Sequence, residues 1–328
     1  MFSVIIPLYN KAPYIEQAIR SVLQQTFQEF EIIVIDDGST DESLVCLRNV
    51  CDEICACEPS FRSKISIIEQ TNQGVSTTRN NGAKVAKYDY FAFLDADDWW
   101  DTVFLERMNG VIKEYPQNGI YASGYYVSKG KNIRVGKTGV GTDFHLGIIN
   151  YAKLLAKGDC RPLWTGAVII SKKDFFNVEG FNPNLTLGED FDLFFRISMK
   201  NGVVLLNLPL SFYNVAAEPK NRLTSQFHKK ENSYVFNMNY SESELDGDMK
   251  YLLDFLRLRS FYPYYIKGLY LFEINSFLST VKWLEHKKIF FMRYKVIPRK
   301  IMQLCLYLRI FFASLVPNNL KKVLWKRK

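Results

Sequence analysis

Residues 31–41 read EIIVIDDGSTD. Four consecutive β-branched residues, Ile32 to Ile35, make a short apolar run that suits a strand buried on both faces, and it stops on Asp36-Asp37-Gly38-Ser39, a turn. Upstream, Ser3 to Leu8 (SVIIPL) has the same character and ends on Tyr9-Asn10. Between the two runs Pro13 suits the first turn of a helix, and Ile15, Ala18, Ile19, Val22 and Leu23 recur at helical spacing. Downstream, Ser39 and Glu42 have capping-box spacing ahead of a helix carrying Leu44, Leu47, Cys51 and Ile54. Ile65 to Glu69 is a third strand, and Gly74 to Ala86 reads as a glycine loop entering a helix. Tyr90 to Leu94 (YFAFL) is a fourth strand, running straight into Asp95-Ala96-Asp97-Asp98. Strand–helix alternation with acids at strand C-termini predicts a doubly wound, Rossmann-like α/β fold. Its mostly parallel central sheet is flanked by helices, with the ligand site where the strands end. Neither Gly-x-Gly-x-x-Gly nor a Walker loop is present, so the common dinucleotide and P-loop folds lose their main support.

Past Trp100 the periodicity of Phe104, Leu105, Met108, Val111 and Ile112 predicts a helix, followed by a strand at Ile120 to Val127. Residues 128–146 are rich in Gly and Lys and read as a loop or hairpin. Trp164 to Ile170 is read as a strand, Asp190 to Lys200 as a helix, and Val203 to Leu208 as the last strand. After about residue 240 the pattern turns helical, aromatic and finally basic, which sets the expected boundary between a body of 1–240 and an extension of 241–328.

The composition, with 48% apolar and 23% charged residues in 328, excludes disorder and low-complexity fibres. The aromatic share of 15% suits large cores, sugar-stacking surfaces or membrane interfaces. The net charge of +8 is unevenly spread. Twelve of the 42 Lys and Arg lie in 286–328, which has no Asp or Glu; the 30 basic and 34 acidic residues before it give −4. A mildly acidic body argues against nucleic-acid binding, and a basic tail argues for an anionic surface. The chain opens directly on a strand without a signal-like segment, so a reducing cytosol and free thiols are expected. Cys46, Cys51, Cys55 and Cys57 fit no zinc spacing and read as thiols on or beside a helix.

Four features carry candidate chemistry. Pro7 and Tyr9 end the first strand, and Asp36 and Asp37 end the second; a carboxylate there can accept from a base N–H or a ribose hydroxyl, or simply shape a turn. Asp95-Ala96-Asp97 sets two hard-oxygen donors at the tip of a buried strand, which suits Mg²⁺ or Mn²⁺ shared with substrate phosphates. Gly74 to Asn80 (GVSTTRN) opens a helix with Arg79 in its early turns, able to hold a phosphate or orient nearby carboxylates. Gly188-Glu189-Asp190 puts adjacent carboxylates at a helix start, where one of them can deprotonate an attacking hydroxyl.

In order, VIIPLYN, EIIVIDDGSTD, NQGVSTTRNNG, FLDADD and GED-x-D-x-x-x-R resemble the family 2 glycosyltransferases of bacterial surface-polysaccharide type, over roughly Ser3 to Tyr213. The resemblance implies a GT-A fold with a nucleotide-sugar half at about 1–100 and an acceptor half at about 101–240. It implies inverting transfer of a hexosyl group from a nucleotide-sugar, most often a UDP-sugar, to a glycan or lipid-linked glycan. On it, Pro7, Tyr9, Asp36, Asp37, Arg79, Asp95, Ala96 and Asp97 bind the nucleotide-sugar, Asp97 with Asp95 holds a divalent Mn²⁺ or Mg²⁺, and Asp190 is the base. Glu189 and Trp164 face the acceptor, as does the Gly180-Phe181 stretch, although Trp164, Trp99 and Trp100 suit a core equally well. The family's downstream His is missing from Glu218 to Ser225, and Arg222 is the expected substitute on the diphosphate, ahead of His228.

In the tail, Ile301 to Leu308 and Ile310 to Val316 are too short to span a bilayer. Leu320, Val323, Leu324 and Trp325 among five Lys and Arg suit an in-plane membrane helix, or a basic helix packed on a protein. The expected location is therefore cytoplasmic, peripheral at the inner face of the plasma membrane, with one sugar added per acceptor rather than polymer export. Two other classes remain open on residues alone: a non-catalytic nucleotide-sugar-binding protein, and a nucleotidyltransferase on a related fold, which the lack of a glycine-rich nucleotide signature disfavours.

Overall fold

The computed structural model describes residues 1–216, 230–237, 245, 247–282, 284, 286 and 288–303. It divides into two compact units, Met1–Leu245 and Asp246–Lys328.

The first unit is built on ten strands and seven α-helices among the described residues. Its N-terminal half alternates β1 (Phe2–Leu8), α1 (Ile15–Leu23), β2 (Phe30–Asp36), α2 (Ser43–Cys57), β3 (Ile65–Glu69), α3 (Val75–Val85) and β4 (Tyr90–Phe93). These strands lie side by side as β3-β2-β1-β4, all parallel. The pleat explains why the strands are apolar throughout. Phe2, Val4, Ile6 and Leu8 of β1 pack on one face with Ile15, Ile19 and Val22 of α1. Ile5 points the other way, against α3.

The C-terminal half departs from parallel order. It comprises β5 (Trp99–Trp100), α4 (Phe104–Glu114), β6 (Ile120–Lys129), β7 (Asn132–Val135), β8 (Leu146–Ile149), α5 (Tyr151–Leu155), β9 (Val168–Ser171), α6 (Lys172–Asn177), α7 (Glu189–Ser198) and β10 (Val203–Asn214). The sheet continues β4-β9-β6-β10-β5. β9 runs antiparallel to both its neighbours, whereas β10 is parallel to β6. Residues 128–146 hold the hairpin strand β7, which pairs with β6, and lead into the edge strand β8 on β10.

Three local expectations are corrected. Ser39 does not cap α2: its hydroxyl donates to Asp36 Oδ1 at 2.5 Å, and the Ser43 N–H is taken by Asp41 at 2.9 Å. A short aspartate-anchored turn therefore replaces the capping box. The Trp164–Ile170 strand begins only at Val168, because Thr165–Ala167 forms a 3₁₀ turn. The last strand passes Leu208 and runs to Asn214, absorbing Pro209 in a register shift, since proline cannot donate to a ladder. The cysteines 46, 51, 55 and 57 lie on α2 as free thiols, and burial pushes Cys51 up to about 11.

The second unit carries α8 (Gly247–Ser260), α9 (Tyr262–Lys267), α10 (Leu271–Thr280) and α11 (Lys288–Phe291). Tyr294 donates to the Leu258 carbonyl at 2.7 Å, Tyr251 stacks on His286, and Phe261 meets Phe277 edge-on. No described helix is long and apolar enough to cross a membrane. The proposed in-plane segment at 320–328 lies outside the described residues.

Gly82 sets the approach of α3 to the sheet, because a Cβ there would sit 2.5 Å from Ile5 Cγ2. Ile5 is fully buried and its branched side chain cannot swing away. Gly82→Ala should therefore lose about 1–2 kcal/mol, overpacking outweighing the helix-propensity gain. Urea unfolding of both proteins measures the difference.

Candidate active site

Parallel pairing brings the strand ends together. Leu8 sits opposite Asp36, Asp36 opposite Glu69, and the Leu94 N–H donates to the Ile5 carbonyl at 3.0 Å. The segments that follow β1, β2 and β4 therefore share one crevice. Tyr9 is exposed there, while Asp36 and Asp37 are buried. Asp37 is occupied in holding the loop into α3: it accepts from Gln70 Nε2 at 2.7 Å, Gln73 N–H at 2.8 Å and Gly74 N–H at 2.9 Å. Asp36 is held by Ser39, and Gly38, at φ 72°, makes the turn.

Asp95 to Asp98 form a reverse turn closed by Asp98 N–H on the Asp95 carbonyl at 2.9 Å. Its three carboxylates have three different partners. Asp95 Oδ1 accepts from Arg79 at 2.6 Å. Asp97 Oδ2 meets the Lys11 ammonium at 2.8 Å. Asp98 accepts from the Asn214 N–H at 2.8 Å and from Trp164 Nε1 at 3.3 Å. Burial, added to by its two acidic neighbours, pushes the Asp98 carboxyl well above the usual range. Burial also raises Asp97, and Lys11 offsets this only in part. The Ala96 side chain is buried.

Arg79 is the hub. Its side chain is 4% exposed, and it donates one arm to Asp95 and the other to Glu189 Oε1 at 3.1 Å. Its Cζ lies 5.1 Å from the centroid of the Phe181 ring, and its Nε has no hydrogen-bond partner among the described residues. Burial opposes the charge, yet Asp95 and Glu189 together raise the guanidinium pKa above its ordinary value. Burial, then Asp190, raises Glu189, and Arg79 restrains it.

Gly188, at φ 78°, starts α7 and leaves room for Tyr234, whose Cδ1 would lie 2.2 Å from an added Cβ. Asp190 is partly exposed, with Oδ1 accepting only its neighbour's Phe191 N–H at 2.8 Å among the described residues. Further along, Asp192 and Arg196 form a structural latch, the guanidinium also reaching the Gly180 carbonyl at 2.8 Å. Thr186 and Tyr234 bring residues 230–237 alongside 186–188 through Thr186 N–H to Asn232 O at 3.1 Å and Tyr234 N–H to Leu187 O at 3.4 Å.

Four aromatic expectations resolve towards the core. Trp164 is 8% exposed, its ring covered by Tyr213 at 3.9 Å between centroids and by Arg161 at 5.2 Å. That leaves little face for a sugar. Phe181 is fully buried on Phe93, and Trp100 is buried on Phe104. Trp99 is half-buried, stacked on Phe212. Lys11 and Asp98 were not singled out by sequence, though each adjoins a motif that was. Arg222 and His228 lie outside the described residues.

The glycosyl transferase family 2 model matches residues 3–171, just over half of the chain. The chain belongs to that family. It is 36% identical over 124 residues to glycosyltransferase GlyA of Streptococcus pneumoniae, a match spanning 38% of this chain and 16% of GlyA. It is 35% identical over 126 residues to an uncharacterized glycosyltransferase, EpsJ, of Bacillus subtilis, covering 38% of this chain and 34% of that one. The chain thus spans well under half the length of these relatives. Its fold matches residues 1–349 of Staphylococcus aureus TarS in complex with UDP-GlcNAc, with a TM-score of 0.63 at 18% identity over 89% of this chain and 81% of TarS. The likeness in fold bears out the α/β GT-A architecture.

Arg79→Met would strand two carboxylates, one of them nearly buried. The loss should be about 3 kcal/mol, at the low end for a broken buried pair because Asp95 is partly solvated. Glu189 has a raised folded pKa, so its charge opposes folding above that pKa, and the penalty fades as pH falls through it. Without Arg79 the penalty grows. The stability gap between variant and wild type should therefore narrow from pH 8 to pH 5 in denaturant titrations.

Proposed function

We propose that this glycosyltransferase moves a hexosyl group from a nucleotide-sugar, a UDP-sugar, to a glycan or lipid-linked glycan acceptor with inversion at the anomeric carbon. The observation that carries this reading is the Arg79 bridge, which ties the acidic turn after β4 to the Glu189-Asp190 start of α7. The UDP-GlcNAc carried by the TarS structure favours a uridine donor here.

In this reading Asp36, beside Pro7 and Tyr9, receives the base or ribose. Asp37 acts behind it by fixing the loop that delivers Arg79. Asp97 and Asp95 would hold a divalent ion. Two partly buried carboxylates side by side suit a cation, and Lys11 already sits on one oxygen of Asp97. No cluster of three or more ligating side chains occurs among the described residues, which suits an ion completed by water and donor phosphates. Such an ion neutralises the leaving diphosphate, so no second carboxylic acid is required, unlike glycosidases. Lys11 adds positive charge at the same place.

Asp190 takes the acceptor proton. Among the described residues it is the one carboxylate of the Asp95, Asp97, Asp98, Glu189 and Asp190 group held by neither a cation nor a neighbouring element, and it stands in the first turn of α7. Glu189, pinned to Arg79, keeps one oxygen for an acceptor hydroxyl. A role in surface-polysaccharide assembly, with the protein at the inner face of the plasma membrane through its basic tail, fits the charge distribution and is part of the same proposal.

Mn²⁺-dependent nucleotide release from UDP-, GDP- and dTDP-sugars tests it. One donor should be turned over, with activity lost on chelation and in Asp97→Asn. Asp190→Asn should lower turnover by about 10²–10⁴-fold while leaving donor affinity near wild type. Equal turnover by Asp190→Asn and wild type would remove Asp190 from the base role.

A further inference from the structure

Arg161 is a cation without a carboxylate partner among the described residues. Its guanidinium lies 5.2 Å from the Trp164 ring centroid and 5.3 Å from that of Phe191, the residue next to Asp190. Phe191 in turn stacks on Tyr234 at 5.9 Å, so aromatic rings flank the guanidinium one residue along α7 from Asp190. Every arginine in the crevice proper is paired: Arg79 has Asp95 and Glu189, and Arg196 has Asp192. Arg161 has no ion pair among the described residues, although it is only partly exposed.

The surroundings repeat its sign. Residues 129–161 hold seven Lys and Arg against two Asp, within a body whose net charge through residue 285 is −4. Ladder pairing of β10, β6 and β7 puts Tyr213, Val127 and Arg134 on one face of the sheet, and Tyr213 is the residue that stacks on Trp164. Burial raises the Tyr125 phenol, while Arg161 and Arg134 both pull it down, so both guanidiniums lie within electrostatic reach of that ring. The Arg161 N–H donates to the Lys137 carbonyl at 2.8 Å, which brings the 137 loop to the same place. Neither Arg134 nor Lys137 has an ion pair among the described residues.

A half-buried guanidinium kept charged without a counter-ion, in a basic rim beside a catalytic carboxylate, is matched to an anion carried by the substrate. We infer that the acceptor bears an anionic group, a phosphate or a carboxylate, which Arg161 receives beside Asp190 while Arg134 and Lys137 supply the surrounding positive field. The inference rests on the transferase reading above and names the class of its acceptor. The aromatic faces of Trp164 and Phe191 hold the guanidinium flat, leaving its N–H edge for two oxygens of the anion.

The test is calorimetric titration of the full chain with glucose 6-phosphate, glucuronate and glucose, each with and without saturating UDP. Wild type should bind one or both anionic probes and discriminate against glucose. Phosphate over glucuronate, or the reverse, names the source of the anion. Arg161→Gln should weaken the anionic probe by about tenfold or more, the loss of one charge-assisted contact, with UDP affinity unchanged. Arg134→Gln, at an exposed position, should give a smaller loss in a protein whose folding is not in question. The inference is overturned if the three probes bind alike or none binds. It is equally overturned if both substitutions leave the anion unaffected, or if UDP weakens in step with it, which would assign the guanidinium to the donor phosphates. Failure of wild type to bind UDP or any UDP-sugar would instead sink the transferase reading, and the titrations without UDP score the anion site separately.

Discussion

The buried guanidinium of Arg79 is the constraint around which the crevice is arranged. A charge almost removed from water is tolerable only if its counter-charges are fixed, and Asp95 and Glu189 come from different parts of the chain, 16 and 110 residues beyond Arg79. The fork geometry matters, because a lysine could not address two carboxylates from one buried stem with the same reach. Arg79 in turn depends on α3, which Gly82 lets approach Ile5 and which Asp37 anchors at its start. A change in any of these displaces both the acidic turn and the start of α7.

That arrangement distributes four neighbouring carboxylates so that they do not repel one another into disorder. Asp95 and Glu189 share Arg79, Asp97 has Lys11, and Asp98 is buried and satisfied by an indole and a backbone N–H. Asp98 therefore works as scaffold: through Trp164 and Asn214 it binds the turn to β10 and to the 3₁₀ segment before β9. Asp97 has a partly exposed counter-ion in Lys11. Lys11 reaches it because Asn10 adopts φ 51° and is stitched to the 39–41 turn by its own amide oxygen.

The parallel half of the fold was legible because β1, β2 and β4 are buried on both faces and so read as apolar runs between turn formers, while the short edge strand β3 keeps three isoleucines. The second half was not, for definite reasons. β5 is two residues long, β8 is an edge strand half exposed, and Pro209 hides the continuation of β10. The site's acids were legible because they sit at strand and helix ends, where local sequence carries the signal. Lys11 and Arg161 were not: what marks them is a partner 86 residues away in one case and the want of a carboxylate in the other. Trp164 shows the opposite failure. Its neighbourhood looks like a sugar platform in sequence, yet Tyr213 and Arg161 already occupy its ring.

Glu189 and Asp190 are adjacent on one helix, and about 100° of rotation per residue separates the directions in which their side chains leave it. That rotation is what lets a single helix start serve two sides of a crevice. Glu189 turns to Arg79 and so to the acidic turn, while Phe191, next after Asp190, turns towards Tyr234 and Arg161. Gly188 makes the sharp entry possible, since its left-handed backbone and absent Cβ admit Tyr234 against the chain. The acidic half of the crevice is then neutralised from within by Arg79 and Lys11. The basic half keeps Arg161 in hand, with no protein carboxylate among the described residues to take it up. On the proposed reading, the two halves would meet different ligands, a donor diphosphate on the side of Arg79 and Lys11 and an anionic acceptor on the side of Arg161.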